Sequence, residues 1–310
     1  MKNICQLLQI KYPILQGGMA SVSNHVLAAA VSNAGGLGII AAASDTADIV
    51  KEKIRLCKQL TPHPFAVNIM LMSPNAKEIA QLVIDELVPV VTTGAGNPGV
   101  YMKAWKEAGI KVIPVVPSVA LAKRMELAGA DAVIAEGTES GGHIGEITTM
   151  ALIPQVVDAI SIPVIAAGGI ADVRQVVAAF ALGAKGIQAG TVFLASVEAP
   201  IHENYKQMII KAKDIDTIVT GRGTKAPVRV LKNHLAKEYV KLSQQGVSLE
   251  ELETLTIGSL RKAVVDGDLE NGSFMAGQVA GMIREIRTVE KIIHDLFDST
   301  KDIIQRLEIL

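Results

Sequence analysis

Ile162-Pro-Val-Ile-Ala-Ala-Gly-Gly-Ile-Ala-Asp172 holds a complete structural unit in one short stretch. A β-branched apolar run with no alternation reads as a strand buried on both faces. Two glycines then break it, and a helical pattern rich in Ala and Val starts at Asp172. Strand, glycine turn and helix in that order form half of a crossover in a parallel sheet. The same unit recurs along the chain. Short apolar runs fall at 13–16, 37–41, 65–71, 88–92, 111–116, 132–135, 163–167 and 186–189. Between them, segments 24–34, 47–59, 74–86, 99–108 and 119–128 have helical spacing, and several end at glycine, as at Gly35, Gly109 and Gly129. Eight such units predict an α/β fold, a closed (β/α)8 TIM barrel, in preference to an open doubly wound sheet.

Composition agrees. Hydrophobic residues make up 49% of the 310 and aromatic residues only 3%, so the core must be built from Ala, Val, Ile and Leu. The formal net charge of −1 gives no electrostatic case for nucleic acid or an anionic membrane surface. No apolar run is long enough to span a bilayer, and the opening residues lack the pattern of a secretory signal. Cys5 and Cys57 form no C-x-x-C pair, which suits a reduced, cytoplasmic protein. From about residue 196 the pattern changes. Residues 201–245 hold nine Lys/Arg against four Asp/Glu, and the spacing to about 288 predicts a smaller, mostly helical cap domain. A final amphipathic helix over 289–307 is expected to pack back on the barrel, completing a domain of 1–195 plus 289–310 around a cap of 196–288.

In a barrel of this kind chemistry sits at the carboxyl ends of the strands. Those ends read Gln16-Gly17-Gly18-Met19-Ala20, Asn68, Gly94-Ala-Gly96, Glu136-Gly137, Gly168-Gly169 and Gly190-Thr191, so glycine is concentrated on one rim. Side-chain-free backbone lets N–H groups approach a flat or phosphorylated ligand. Gly168-Gly169 and Gly190-Thr191 follow the seventh and eighth strands, where barrels commonly hold phosphate, and a helix from Asp172 would add its N-terminus. Gln16, Asn68 and Gln188 are placed to bond a heteroaromatic ring, although each alone would serve as a satisfied core amide. His143 lies on the loop after the sixth strand, flanked by Gly141, Gly142 and Gly145, and is a candidate proton donor or acceptor. Glu136 would orient a ligand or hold a cation, and Glu139 would be solvated. No His/Cys spacing suits a transition metal. Gly94-x-Gly96-x-x-Gly99 matches a dinucleotide fingerprint in form, but the next strand ends without a carboxylate, so it reads as another rim loop.

These residues carry a family resemblance. Tyr12–Ala20, Ala34–Ile40, Val67–Leu71, Val90–Pro98, Val112–Glu126, Glu139–Gly145, Ile162–Asp172 and Met275–Gln278 resemble the flavin-dependent enoyl-acyl-carrier-protein reductases of type II fatty-acid synthesis, within the nitronate monooxygenase-like group of FMN barrels. The resemblance implies FMN on the rim. Gly17, Gly18, Met19 and Ala20 would lie along the ring, and Asn68 at its pyrimidine edge. Gly168, Gly169, Gly190 and Thr191 would hold the phosphate. His143 would stand beside the ring with Gly141 and Gly142, and Gly277-Gln278 would close over the cofactor. It further implies NADH or NADPH as hydride donor, NADH being the expected one, an acyl carrier protein bearing the enoyl chain as partner, and a homodimer. Arg222, Lys225, Arg229, Lys232 and Lys237 are then candidates for docking that carrier. The alternatives are nitronate monooxygenation with FMN and oxygen, and a non-catalytic barrel that binds a phosphorylated ligand.

Overall fold

The computed structural model describes residues 3–43, 45–224 and 226–307. Its centre is an eight-stranded parallel sheet. The strands are β1 (Ile14–Gln16), β2 (Gly38–Ala41), β3 (Phe65–Met70), β4 (Val90–Gly94), β5 (Lys111–Val116), β6 (Val133–Glu136), β8 (Val164–Ala167) and β9 (Gly186–Ala189). A two-residue strand between β6 and β8, β7 (Gly142–His143), leaves the barrel. β9 pairs with β1, and a parallel bridge from Leu15 to Leu37 closes the ring. The protein has the TIM-barrel fold that the strand spacing predicts.

Side chains divide by parity. Leu15, Leu37, Ile39, Ala66, Val90, Ile113, Ala132, Ile134, Ile165 and Ala167 fill the barrel interior. Their neighbours, such as Ile14, Val133, Ala135, Ala166 and Ile187, face the surrounding helices instead. Small and branched aliphatics fit this narrow interior, which explains a chain so poor in aromatics. At the amino ends of the strands, the helix Ile4–Leu8 inserts Ile4 and Leu8 into the same interior cluster. That mouth is therefore shut, and the carboxyl-end mouth is left as the place for a ligand.

The cap packs on this frame through one continuous apolar cluster that includes Tyr205, Ile209, Leu231, Ala263 and Phe274. Its helices span Glu203–Lys211, His234–Gln244 and Leu249–Thr256. It also contains a hairpin that the spacing did not predict, β10 (Thr217–Thr220) and β11 (Val228–Leu231). β11 pairs with β7, so the glycine-rich loop carrying His143 is the third strand of a cap sheet. The final helix also differs from expectation. It is two helices, Val289–Phe297 and Thr300–Leu307, because Thr300 starts a new segment just after Asp298 caps the first. The first contributes Ile292, Ile293 and Leu296 to the core, whereas the second buries no residue.

Candidate active site at the carboxyl mouth of the barrel

Inward parity carried one step past the aliphatic layers places Asn68 above Ala66, Thr92 above Val90 and Glu136 above Ile134. Gln188, two residues beyond Gly186, shares that parity. These four polar groups form the floor of the mouth. Asn68 Nδ2 donates to Thr92 Oγ1 at 3.0 Å, which fixes the amide. A β-carbon on Gly18 would come within 2.5 Å of the Asn68 side chain, so the β1 loop lies flat against it only because residue 18 is glycine. Among the described residues the Gln188 amide has no hydrogen-bonded protein partner, although Gln188 is buried. Gln16 behaves differently from Asn68. It is fully buried, accepts from Ile39 N at 3.1 Å and donates to Ser23 Oγ at 2.6 Å, so it is a satisfied core amide that ties β1 to β2.

The loops after β1, β8 and β9 converge. Met19, held by Ser23 Oγ accepting from its N–H at 2.9 Å, brings its sulfur within 3.5 Å of where a Gly190 side chain would begin. Ala20 lies in the turn that follows. Gly168 and Gly169 take φ of +91° and +75°, left-handed backbone that favours glycine. Among the described residues, the N–H groups of Gly168, Gly169 and Gly190 donate to no protein acceptor. Thr191 Oγ1 accepts from Gly277 N at 2.9 Å, which leaves its own proton to donate elsewhere. Open N–H groups beside an oriented hydroxyl are the donor set a phosphate requires. The helix after Gly169 does not join them. Asp172 caps its N-terminus by accepting from Arg174 N and pairs with the Arg174 side chain, so the expected anion site there is already filled by the chain's own carboxylate.

The residues expected around the catalytic loop also meet. Gly141 packs against Ala276 and Gly277, and Gln278 N donates to Glu139 O at 3.0 Å, so residues 276–278 form a strap over that loop. Glu139 is not solvated as expected. Its carboxylate accepts from Thr149 N at 3.0 and 2.9 Å, capping the helix Thr149–Ala159, and Thr149 Oγ1 lies 2.9 Å from Gly168 O. Thr149 thus joins the His143 loop to the Gly168 turn. Nothing in its spacing marks it out, because its role depends on three separate segments.

His143 is exposed at the end of β7, and Gly142, with φ of +75°, turns the backbone just before it. The surrounding protein holds the imidazole pKa below its usual 6.5 by desolvation, so the ring is neutral at pH 7. A neutral imidazole can donate one N–H and accept a proton at its other nitrogen. Glu136 is shifted the other way. Burial pushes its carboxyl up to about 7. The nearby Ser140 hydroxyl opposes that shift, yet among the described residues Ser140 Oγ is buried without a well-formed hydrogen bond. The mouth therefore holds a carboxyl on the edge of ionisation and a neutral imidazole.

Of the five cap residues expected to dock a carrier, Lys225 lies outside the described residues. Arg229 departs from expectation, since it is 5% exposed and its guanidinium points into the protein. Lys232 and Lys237 line a groove together with His234 and Lys241, and Arg222 is exposed on the hairpin loop.

Comparison with known proteins agrees with this geometry. FabK from Thermotoga maritima shares 51% identity, covers 99% of this chain and 98% of its own, and superposes with a TM-score of 0.96. A probable nitronate monooxygenase of Staphylococcus saprophyticus is 33% identical over 98% of this chain and 99% of its own length. A Mycobacterium tuberculosis protein named as a 5-hydroxy-7a-methyl-1-oxo-octahydro-indene-4-carboxyl-CoA dehydrogenase is 32% identical over 94% of each. The family model described as nitronate monooxygenase matches residues 2–83 and 79–299. The chain is a member of the nitronate monooxygenase family of flavin-dependent oxidoreductases.

Proposed function

We propose that this protein reduces trans-2-enoyl thioesters carried on acyl carrier protein, using FMN and NADH, with NADPH as the alternative donor. The observation that carries the reading is the likeness to FabK, an FMN-dependent enoyl-acyl-carrier-protein reductase, which extends through barrel and cap alike. When bound, FMN supplies the two-electron chemistry that links a nicotinamide to the β-carbon of the enoyl group. The protein supplies position. Gly168, Gly169, Gly190 and Thr191 would hold the phosphate, Asn68 and Gln188 the polar edge of the ring, and Gly17, Gly18, Met19 and Ala20 its flank. The strap at Gly277 and Gln278 would exclude water above Gly141 and Gly142. His143, being neutral, would donate an N–H to the thioester oxygen as charge develops there, the kind of preorganised contact that lowers such barriers. In this division residues 196–288 are the cap that admits the nicotinamide and meets the carrier.

A second reading, oxidation of alkyl nitronates with oxygen, is favoured by the Staphylococcus saprophyticus relative. One experiment separates the two. The FMN-loaded protein is bleached anaerobically with NADH, then mixed with crotonyl thioester or with a nitronate. Recovery of the flavin absorbance by the enoyl thioester alone is the expected result. Oxygen uptake with a nitronate and no NADH, without response to the thioester, would overturn it.

A further inference from the structure

We infer that Arg229 is a positioning residue that holds the His143 loop in place from the cap. It acts through that loop, so the inference rests on the reading of the site given above. Arg229 lies in the middle of β11 with its charge turned inward. Nε and Nη2 donate to Thr138 O at 3.2 and 3.0 Å, and Nη1 donates to Thr217 Oγ1 at 3.2 Å. Its backbone, meanwhile, stands opposite Gly142, and Val228 stands opposite His143. One residue therefore grips the loop at both ends, by its side chain at residue 138 and by its strand register at 142. The next link is also fixed, since Ile144 N donates to Pro227 O at 3.1 Å.

The chemistry of this grip is unusual for a stabilising device. The hydrogen-bond partners of the guanidinium are a carbonyl and a hydroxyl, and it makes no ion pair among the described residues. Desolvation lowers its pKa, the Arg222 charge lowers it further, and the Glu139 charge opposes both. A cation buried against neutral partners adds little to stability, and an apolar side chain of similar volume would serve the fold as well. An arginine does one thing that such a side chain cannot. Its rigid fork fixes a single carbonyl oxygen from two directions. That carbonyl begins the glycine-containing loop, whose next residues are held by the strap at Gln278 and by Thr149.

The test compares Arg229→Gln and Arg229→Lys with His143→Ala in the FMN-loaded protein. Both Arg229 variants keep a donor and most of the volume. Hydrogen exchange of the 138–143 amides is expected to accelerate by on the order of 10- to 100-fold in Arg229→Gln, the range for losing a charge-assisted bond. Exchange in the barrel strands should stay as in the unaltered protein. kcat should fall with little change in the KM for NADH, and the Lys variant should recover part of both losses. Unchanged loop exchange and unchanged kcat in Arg229→Gln would overturn the inference. So would acceleration spread evenly over barrel and loop, which would mark a fold-wide role. If His143→Ala keeps full turnover, the role of His143 fails, while the exchange measurement still decides the role of Arg229.

Discussion

Replacing Gly141 with alanine tests whether the strap over the loop governs cofactor binding. The added β-carbon would stand 2.6 Å from Ala276 C, 2.7 Å from Gly277 N and 2.8 Å from Ala276 Cα. All three are backbone atoms, so no side chain can swing aside. Ordinary contact at about 3.4 Å requires the strap to withdraw by about 0.8 Å. The bonds from Gly277 N to Thr191 Oγ1 and from Gln278 N to Glu139 O, now 2.9 and 3.0 Å, would stretch beyond hydrogen-bonding range. At about 0.5–1.5 kcal/mol each, their loss weakens the closed form by about 1–3 kcal/mol. FMN affinity should then drop by about 5- to 150-fold, read by the quenching of flavin fluorescence on titration. Gly223→Ala, on the hairpin loop of the cap, is the control, because a β-carbon there meets nothing within 4 Å. Gly141→Ala binding FMN within about twofold of the unaltered protein would refute the role given to the strap.

The remaining predictions concern the acid, the imidazole, the frame and the docking face. The folded pKa of Glu136 lies above its unfolded value, so its contribution to stability is full below about 4.5 and is lost as pH rises toward about 7. Glu136→Gln should therefore flatten the fall in melting temperature across that window, and parallel curves would count against a buried carboxyl. His143→Ala should keep FMN bound yet slow crotonyl-thioester reduction by roughly 10²-fold, and full turnover would remove the imidazole from the chemistry. Gly38→Ala would put a β-carbon 1.8 Å from Ala28 O, so thermal melting should show a loss of about 3 kcal/mol or more, or no soluble protein. If Lys232 and Lys237 meet an acidic carrier, rising salt should depress activity on carrier-bound substrates more steeply than on coenzyme A analogues.

The barrel was legible because each strand lies within one short segment and each helix follows it directly. Gly168-Gly169 and Gly190-Thr191 could be read as neighbouring turns on one rim for the same reason. The cap hairpin was not legible, because β10 and β11 have four residues each and gain their third strand from Gly142-His143, some 85 residues earlier. Val228-Arg-Val-Leu231 has the alternation of a half-exposed strand, which points Arg229 outward. The acceptor that draws it inward, Thr138 O, is a backbone atom that no pattern of side chains reveals. Glu139 misleads in the same way, since its partner is the start of a helix that begins ten residues later.

The first described helix has a bearing on how the chain reaches this shape. Ile4 and Leu8 occupy the barrel axis, and Ile4 Cγ2 sits 3.2 Å from the position a Gly186 side chain would take. The cork thus precedes in sequence the bottle it fits, which is complete only once β9 has joined β1. Contacts spanning so much of the sequence slow folding, because their loop entropy is spent before they form. A bulky group attached just ahead of Ile4 should therefore hinder the seating of these two side chains more than one attached to the helix Thr300–Leu307, which buries no residue.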